Sequence, residues 1–186
     1  MSSSFLLIIV FTFRTYYMLL TILTTHYSVR EVYTGDLIPW VESNYDVIKT
    51  PAARAFAGLS LGGGMTLTML FNATDYFSSF NVMSNIPSPS PGDPQYTNNP
   101  RLRKVGIFLG SGFYYAAFES SRNFANRLGA VCVLNYLNYY PQNGAHQWSS
   151  WQQMLNYYAR YGLWKPLPWR LNYDNGPFDL SGAVPC

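Results

Sequence analysis

Short apolar runs alternate along the chain with segments whose apolar residues recur at helical spacing. Four runs have the length and continuity of strands buried in a parallel sheet: Ala55–Leu59, Phe77–Met83, Lys104–Leu109 and Ala130–Leu134. Four segments carry the helical spacing: Val32–Asn44, Leu61–Ala73, Phe118–Leu128 and Trp148–Tyr161. Strands and helices that alternate in this way predict an α/β fold with a mostly parallel sheet flanked by helices.

Capping and turn residues predict where these elements begin and end. Asp36 is placed to cap the first helix, with Pro39 in its first turn. Gly129 follows the third helix as its expected C-cap. Loops are expected at Lys49–Arg54 and at Ser84–Pro100, and the second of these is rich in Pro, Ser and Asn.

The N-terminal run Phe5–Leu23 is apolar apart from threonines and Arg14, and three interpretations stay open. A secretory signal would have a positive n-region and a small-residue cleavage site, and neither pattern is present. A membrane span would carry Arg14 near its middle, at a cost of about 2.5–3.5 kcal/mol on insertion scales. A buried strand or helix would need Arg14 to reach water. We therefore separate residues 1–31 from a core at 32–161 and an aromatic, Pro-rich tail at 162–186, and expect a secreted or membrane-anchored protein.

Composition narrows the class of protein and of partner. The chain of 186 residues is 48% hydrophobic, which predicts one globular unit, and its net charge of +3 comes from Lys and Arg scattered without a basic cluster. Nucleic acid is therefore not an expected partner. Aromatic residues make up 18% of the chain, which suggests ring-lined surfaces as well as core.

Cysteine and sequon content add little to the functional picture. Cys132 and Cys186 are the only cysteines, and two cannot form a zinc site alone, so no metal is expected. They are either one buried and one terminal thiol or a single bridge that tethers the tail. Asn72-Ala73-Thr74 is a glycosylation sequon, which matters only in a secretory compartment.

One serine lies between glycines at the predicted junction of a strand and a helix, in Gly58-Leu59-Ser60-Leu61-Gly62. This fits G-x-S-x-G, in which a strained turn exposes the serine Oγ and the following N–H, here that of Leu61, faces a developing oxyanion. The other interpretation is a glycine-rich turn that packs closely between strand and helix. Because a strand is predicted before Ser60 and a helix after it, the interpretation of Ser60 as a nucleophile is favoured.

A serine nucleophile needs a base, and the chain has only His26 and His146. His26 lies beside the apolar N-terminal run, before the predicted sheet. His146 lies in a glycine-containing loop between a strand and a helix, downstream of Ser60, as the order nucleophile, acid, histidine requires. His146 is therefore the candidate base, against the alternative of an exposed loop histidine.

Three stretches in order, DLIPWVESNYDV (36–47), RAFAGLSLGGG (54–64) and NGAHQWSSW (143–151), resemble the esterase D-type α/β-hydrolases of carbohydrate esterase family one. This family includes feruloyl and acetylxylan esterases, and the similarity runs from about Gly35 to about Tyr161. The resemblance implies a secreted serine carboxylic-ester hydrolase that needs no cofactor. Its substrates would be acylated plant polysaccharide or small aromatic esters, with Ser60 as nucleophile and His146 as general base.

The sequence departs from the family pattern at two places. Tyr115 stands where the resemblance implies the triad acid, and Glu119, four residues on, is the substitute candidate or simply an exposed glutamate in a first helical turn. Upstream, no H-G-G-G-like oxyanion loop is found, so the chain resembles an α/β-hydrolase that lacks the N-terminal part of the fold. An uncovered sheet edge and self-association are then expected. A catalytically impaired homologue that binds carbohydrate or serves a structural role is the alternative function.

Overall fold

Five parallel strands form one sheet in the order β1-β2-β3-β4-β5. The computed structural model describes residues 6–10, 29–85, 99–131 and 133–164. The strands of this part of the chain are β1 (Leu6–Val10), β2 (Arg54–Leu59), β3 (Ser79–Met83), β4 (Gly106–Gly110) and β5 (Tyr136–Tyr139). The expected α/β fold with a parallel sheet flanked by helices is confirmed.

The described residues hold four helical segments longer than a single turn, three between strands and one after the last strand. The first, α1, covers residues 29–44, as a turn at Val29–Glu31, a π-helical stretch at Val32–Leu37 and an α-helix at Ile38–Asn44. The others are α2 (Leu61–Asn72), α3 (Ala117–Ala130) and α4 (Trp148–Tyr161). Short 3₁₀ turns lie at Pro51–Ala53 and Pro100–Lys104. The bounds predicted for α4 are those observed.

Three details of the sequence prediction are wrong. Asp36 does not cap a helix, because it lies inside the π-helical stretch of α1. Gly129 lies inside α3, where a Cβ would come within 3.2 Å of the Tyr136 Oη, so the glycine allows close approach of β5. The strand expected at Ala130–Leu134 forms later, at β5.

The start of β5 is anchored beside β4 by a buried asparagine. The Asn135 side-chain amide donates to the Leu102 and Val105 carbonyls.

The two faces of the sheet are covered by different helices. Phe56, Phe80 and Ile107 point to a core shared with α1, α2 and α3. The other face carries a smaller cluster under α4, formed by Leu59, Met83, Phe108, Trp151, Met154 and Tyr158. This alternation along each strand is the period-two pattern of a pleated sheet.

A buried hydrogen bond fixes α4 on the sheet. The Tyr158 and Ser79 hydroxyl oxygens lie 2.6 Å apart, and Tyr158 is fully buried. Burial raises the pKa of Tyr158 well above its ordinary value, so the phenol stays neutral. The contact therefore holds the helix against β3 without placing a charge in the core.

The N-terminal strand lies at one edge of the sheet. β1 pairs in parallel with β2, with Leu6 opposite Arg54 and Val10 opposite Gly58, which corresponds to the strand interpretation of the apolar run. Outside the described residues lie Arg14, Cys132, Cys186 and the ranges 86–98 and 165–186.

β1 and β5 are the two edge strands of the described sheet. An edge strand can pair with another chain, so self-association stays a prediction. No described helix is long and apolar enough to cross a membrane.

Candidate active site

Ser60 occupies the turn between β2 and α2 in a conformation that L-residues rarely adopt. Its φ is 54° and its ψ is −118°. A non-glycine residue outside the favoured regions costs of order 1–3 kcal/mol and persists only where its surroundings impose it. Here the Ser60 N–H donates to the Met83 carbonyl at 2.9 Å, and the Ser60 carbonyl accepts from the Gly64 N–H at 3.2 Å. The turn is thus held by β3 on one side and by α2 on the other.

The neighbouring glycines make this turn sterically feasible. A Cβ on Gly58 would lie 2.0 Å from the Gly62 carbonyl oxygen, and one on Gly63 would lie 2.6 Å from the Met83 carbonyl oxygen. Both contacts are with backbone atoms, which cannot move aside as a flexible side chain can. Gly58 therefore lets β2 and the start of α2 approach, Gly63 lets α2 approach β3, and Ser60 lies at the point of approach.

The Asn85 side chain supports the turn from β3. Its Nδ2 donates to the Ser60 carbonyl oxygen at 3.0 Å. Sequence reasoning missed this residue, because nothing in a proline- and serine-rich stretch distinguishes one asparagine from its neighbours. Asn85 therefore belongs to the scaffold of the turn.

The Leu61 N–H is the first N–H of α2. The first N–H groups of a helix have no intrahelical acceptor and form its positive end. This position suits a donor to an oxyanion formed next to Ser60. A second donor from the segment that follows β1 would lie outside the described residues.

His146 meets Ser60 at the carboxyl end of the sheet. Its Nε2 lies 2.9 Å from Ser60 Oγ, although the two residues are 86 positions apart in the sequence. The loop between β5 and α4 carries His146 across, and Gly112 allows its passage, since a Cβ there would lie 2.5 Å from the Ala145 carbonyl oxygen. His26 lies outside the described residues. The structure thus brings together the two residues that the sequence paired.

The protonation state of His146 suits a base. Partial burial lowers the pKa of His146 below its ordinary value of 6.5, and a backbone hydrogen bond offsets part of this shift. A lowered pKa keeps the imidazole neutral near pH 7, so that Nε2 has a lone pair for the Ser60 hydroxyl proton. Ser60 and His146 can therefore exchange a proton in the geometry observed.

Aromatic side chains flank the His146 ring on two sides. The Tyr115 ring lies 4.4 Å from it, tilted by 37°, and the Trp151 ring meets it edge-on at 4.9 Å. The Trp151 indole N–H also donates to Ser84 Oγ at 3.0 Å. Sequence reasoning compared Tyr115 with an acid but did not assign Trp151 or Ser84 to the site. Trp151 lies in the first turn of α4, at a position that the helical spacing of the sequence predicts to be core packing.

Glu119 does not reach the pair. Its carboxylate accepts from Arg122 at 2.7 Å within α3, and both side chains are more than half exposed. Within the described part of the chain, no carboxylate forms a hydrogen bond or an ion pair with His146. The first turn of α3 thus directs Glu119 to Arg122 and not to His146, and the assignment of Glu119 as the acid stays a prediction. Among the residues that the structure describes, no group of three or more His, Cys, Asp or Glu side chains could hold a metal ion.

Comparisons with known proteins agree with this architecture. Residues 21–104 match the esterase family model, described as "Putative esterase". A ferulic acid esterase is 23% identical, with a TM-score of 0.58 over 68% of this chain and 57% of that one. The fluorophosphonate-binding serine hydrolase F of Staphylococcus aureus is 12% identical, with a TM-score of 0.63 over 89% of this chain and 86% of that one.

A third similar structure is a variant of the feruloyl esterase module from Clostridium thermocellum complexed with sinapinate. It is 18% identical, with a TM-score of 0.57 over 76% of this chain and 58% of that one. The chain thus spans a little over half the length of the feruloyl esterases that it resembles. These likenesses establish the fold.

Proposed function

We propose that this chain is an α/β-hydrolase of the esterase family and that it hydrolyses carboxylic esters through an acyl-enzyme at Ser60. The observation that carries the proposal is the 2.9 Å contact between His146 Nε2 and Ser60 Oγ at a turn with positive φ. A serine hydroxyl within hydrogen-bonding distance of an imidazole is the arrangement in which a base activates a nucleophile. A glycine-rich turn with only a packing role would not need the histidine.

The reaction follows from these positions. Neutral His146 takes the Ser60 hydroxyl proton at Nε2 while Oγ forms a bond to the ester carbonyl carbon. The carbonyl oxygen becomes an oxyanion that accepts a hydrogen bond from the Leu61 N–H. As the tetrahedral intermediate collapses, the ester C–O bond breaks and the alcohol leaves with the proton from Nε2. Water then attacks the acyl group by the same steps and regenerates Ser60.

The aromatic surface beside the pair supports a substrate with an aromatic acyl group. Trp148 is 48% exposed and packs edge-on against Trp151 at 5.1 Å, and Trp151 in turn contacts His146. An exposed indole that connects to Ser60 through Trp151 and His146 offers a face on which a phenolic ring can stack. Two of the similar structures are named as esterases of ferulic acid, which is a phenolic acid. A feruloyl-type ester, on polysaccharide or in a small molecule, is therefore the proposed substrate, and a polymer would require an exported enzyme.

A fluorophosphonate probe tests the nucleophile. Wild-type protein should become labelled, and Ser60→Ala should not, because the probe reacts with an activated serine Oγ. His146→Gln should reduce labelling strongly while leaving thermal unfolding close to that of the wild type, since His146 is exposed and belongs to neither core cluster. Equal labelling of wild type and Ser60→Ala would end the assignment.

Hydrolysis of paired substrates tests the acyl group. We expect the methyl ester of a hydroxycinnamic acid to be a better substrate than methyl acetate. Trp148→Ala should raise KM for the aromatic ester and leave KM for the acetyl ester unchanged. An equal effect on both esters would remove the stacking role.

A second candidate function is favoured by Tyr115. An aromatic ring, and no described carboxylate, lies against His146, and loss of the acid in a related triad costs about 10⁴ in turnover. The chain would then be an impaired homologue that binds aromatic or carbohydrate ligands at the same surface. Saturable binding of a hydroxycinnamate ester without turnover or probe labelling would select this function.

A further inference from the structure

The imidazole of His146 is held between two aromatic side chains, one from a loop and one from a helix. Tyr115 lies in the loop after β4 and is half-buried, whereas Trp151 lies in the first turn of α4 and is only 8% exposed. Their centroids are 4.4 Å and 4.9 Å from that of the imidazole, and Trp151 is almost perpendicular to it, at 87°. Because Tyr115 and Trp151 contact the imidazole on two sides, the ring can adopt few orientations.

We propose that Tyr115 and Trp151 position the His146 ring for proton transfer with Ser60, and that the Trp151–Ser84 hydrogen bond fixes this aromatic clamp. The proposal rests on the assignment of His146 as the general base. Both aromatic residues are positioning residues, since they act through His146 and have no part in the bonds that change. In a catalytic triad the carboxylate performs this orientation.

The Ser84–Asn85 segment links the clamp to the nucleophile. Ser84 has a positive φ of 49°, is 2% exposed, and its N–H donates to the Gly110 carbonyl at 2.7 Å. Its hydroxyl accepts from Trp151, while the next residue, Asn85, donates to the Ser60 carbonyl. Two adjacent residues at the end of β3 thus hold the serine turn and the ring that packs on the base. Relative placement of Ser60 and His146 then depends on one rigid segment.

The Tyr115 ring also suits the charged form of the base. When His146 has taken the serine proton it is an imidazolium, and a cation close to an aromatic face is attracted by the ring quadrupole. Phenylalanine would keep this interaction and the packing, whereas leucine would remove the quadrupole. The phenol hydroxyl is not needed for either contribution. This difference makes the proposal testable with matched substitutions.

Rates of fluorophosphonate labelling and of hydrolysis of a small activated ester test the clamp. We expect Tyr115→Phe to keep the rate within about twofold and Tyr115→Leu to lower it by about tenfold, mainly in kcat. Tyr114→Leu is the control, because Tyr114 is 73% exposed and packs on Phe113, and it should leave the rate unchanged.

The link through Ser84 is tested by a double-mutant cycle. Ser84→Ala and Trp151→Phe should each lower the rate, by about fivefold, and the double variant should be no slower than the slower single one, because both remove the same hydrogen bond. All variants are compared at a temperature where circular dichroism shows them folded. Additive effects would mean that the two residues act independently, which overturns the clamp.

Nitrogen NMR of histidine-labelled protein separates the clamp from the proposed function. The chain has only two histidines, so His146→Gln assigns the signals. In wild-type protein we expect one tautomer, with the proton on Nδ1, and in Tyr115→Leu a mixture of both tautomers. This result would stand even if Ser60 were not labelled, in which case ester hydrolysis alone fails. Unchanged tautomer and rate in Tyr115→Leu would show that another group orients the ring and would overturn the proposal.

Discussion

Replacing Gly58 by alanine should both destabilise the protein and displace Ser60, the proposed nucleophile. The added Cβ would lie 2.0 Å from the Gly62 carbonyl oxygen, 2.3 Å from the Gly62 carbonyl carbon and 2.7 Å from Thr66 Oγ1. Distances below 3.0 Å to backbone atoms cannot be relieved by a rotamer change. The start of α2 must therefore move away from β2 by roughly 1.5 Å to bring the Gly62 carbonyl oxygen out to van der Waals contact.

The expected magnitude follows from the cost of overpacking. Such strain costs typically about 1–3 kcal/mol, and contact with main chain places Gly58→Ala near the upper end. At about 2–4 °C per kcal/mol for a protein of this size, the midpoint of thermal unfolding should fall by roughly 6–12 °C. Ser60 and the Leu61 N–H move with the start of α2. Since a misplacement of about 1 Å can cost about 10² in rate, labelling of Ser60 should slow by a similar factor.

Thermal and urea unfolding, read beside fluorophosphonate labelling, provide the assay. Gly35→Ala is the matched control, because no atom lies within 4 Å of the added Cβ and the residue is in α1. That substitution should leave labelling unchanged and raise stability slightly, by about 0.5–1 kcal/mol, since alanine is favoured over glycine in a helix. If Gly58→Ala unfolded at the wild-type temperature and labelled at the wild-type rate, the close approach of strand and helix would not be what holds Ser60 in place.

Three further outcomes are expected. The acidic limb of the kcat/KM profile should have its midpoint below pH 6.5, because burial lowers the pKa of His146 and the neutral base is lost only as pH falls through that lowered value; a midpoint above 6.5 would contradict this. Tyr158→Phe should lower the free energy of unfolding by about 1–3 kcal/mol, measured in urea, because it leaves the buried Ser79 hydroxyl without its partner. Glu119→Gln should leave the hydrolysis rate unchanged and stability within about 1 kcal/mol, since its pair with Arg122 is solvent-exposed; a sharp loss of rate would restore Glu119 as the acid.

Local patterns in the sequence determined most of the elements and identified the two residues that meet in the candidate site. Continuous apolar runs indicated buried parallel strands, and the helical repeat in residues 148–161 predicted α4 with its observed bounds. The glycines around Ser60 indicated a close approach of strand and helix, because only glycine avoids the clash at Gly58. With two histidines in the chain, the candidate bases were few. These conclusions depend on residue type and spacing, which the sequence contains directly.

What surrounds His146 was decided only by the tertiary structure. Sequence offered Glu119 as a substitute acid by proximity to Tyr115, but helical geometry places an acidic residue beside the one three positions on, and Arg122 stands there. Tyr115, Trp151 and Ser84 come from three separate connections at the carboxyl end of the sheet, and no local pattern relates them. Parallel strands bring such loops together because all their carboxyl ends lie at one edge. The neighbours of His146 are therefore a property of the strand order, whereas the serine and the histidine could be recognised as candidates from the sequence alone.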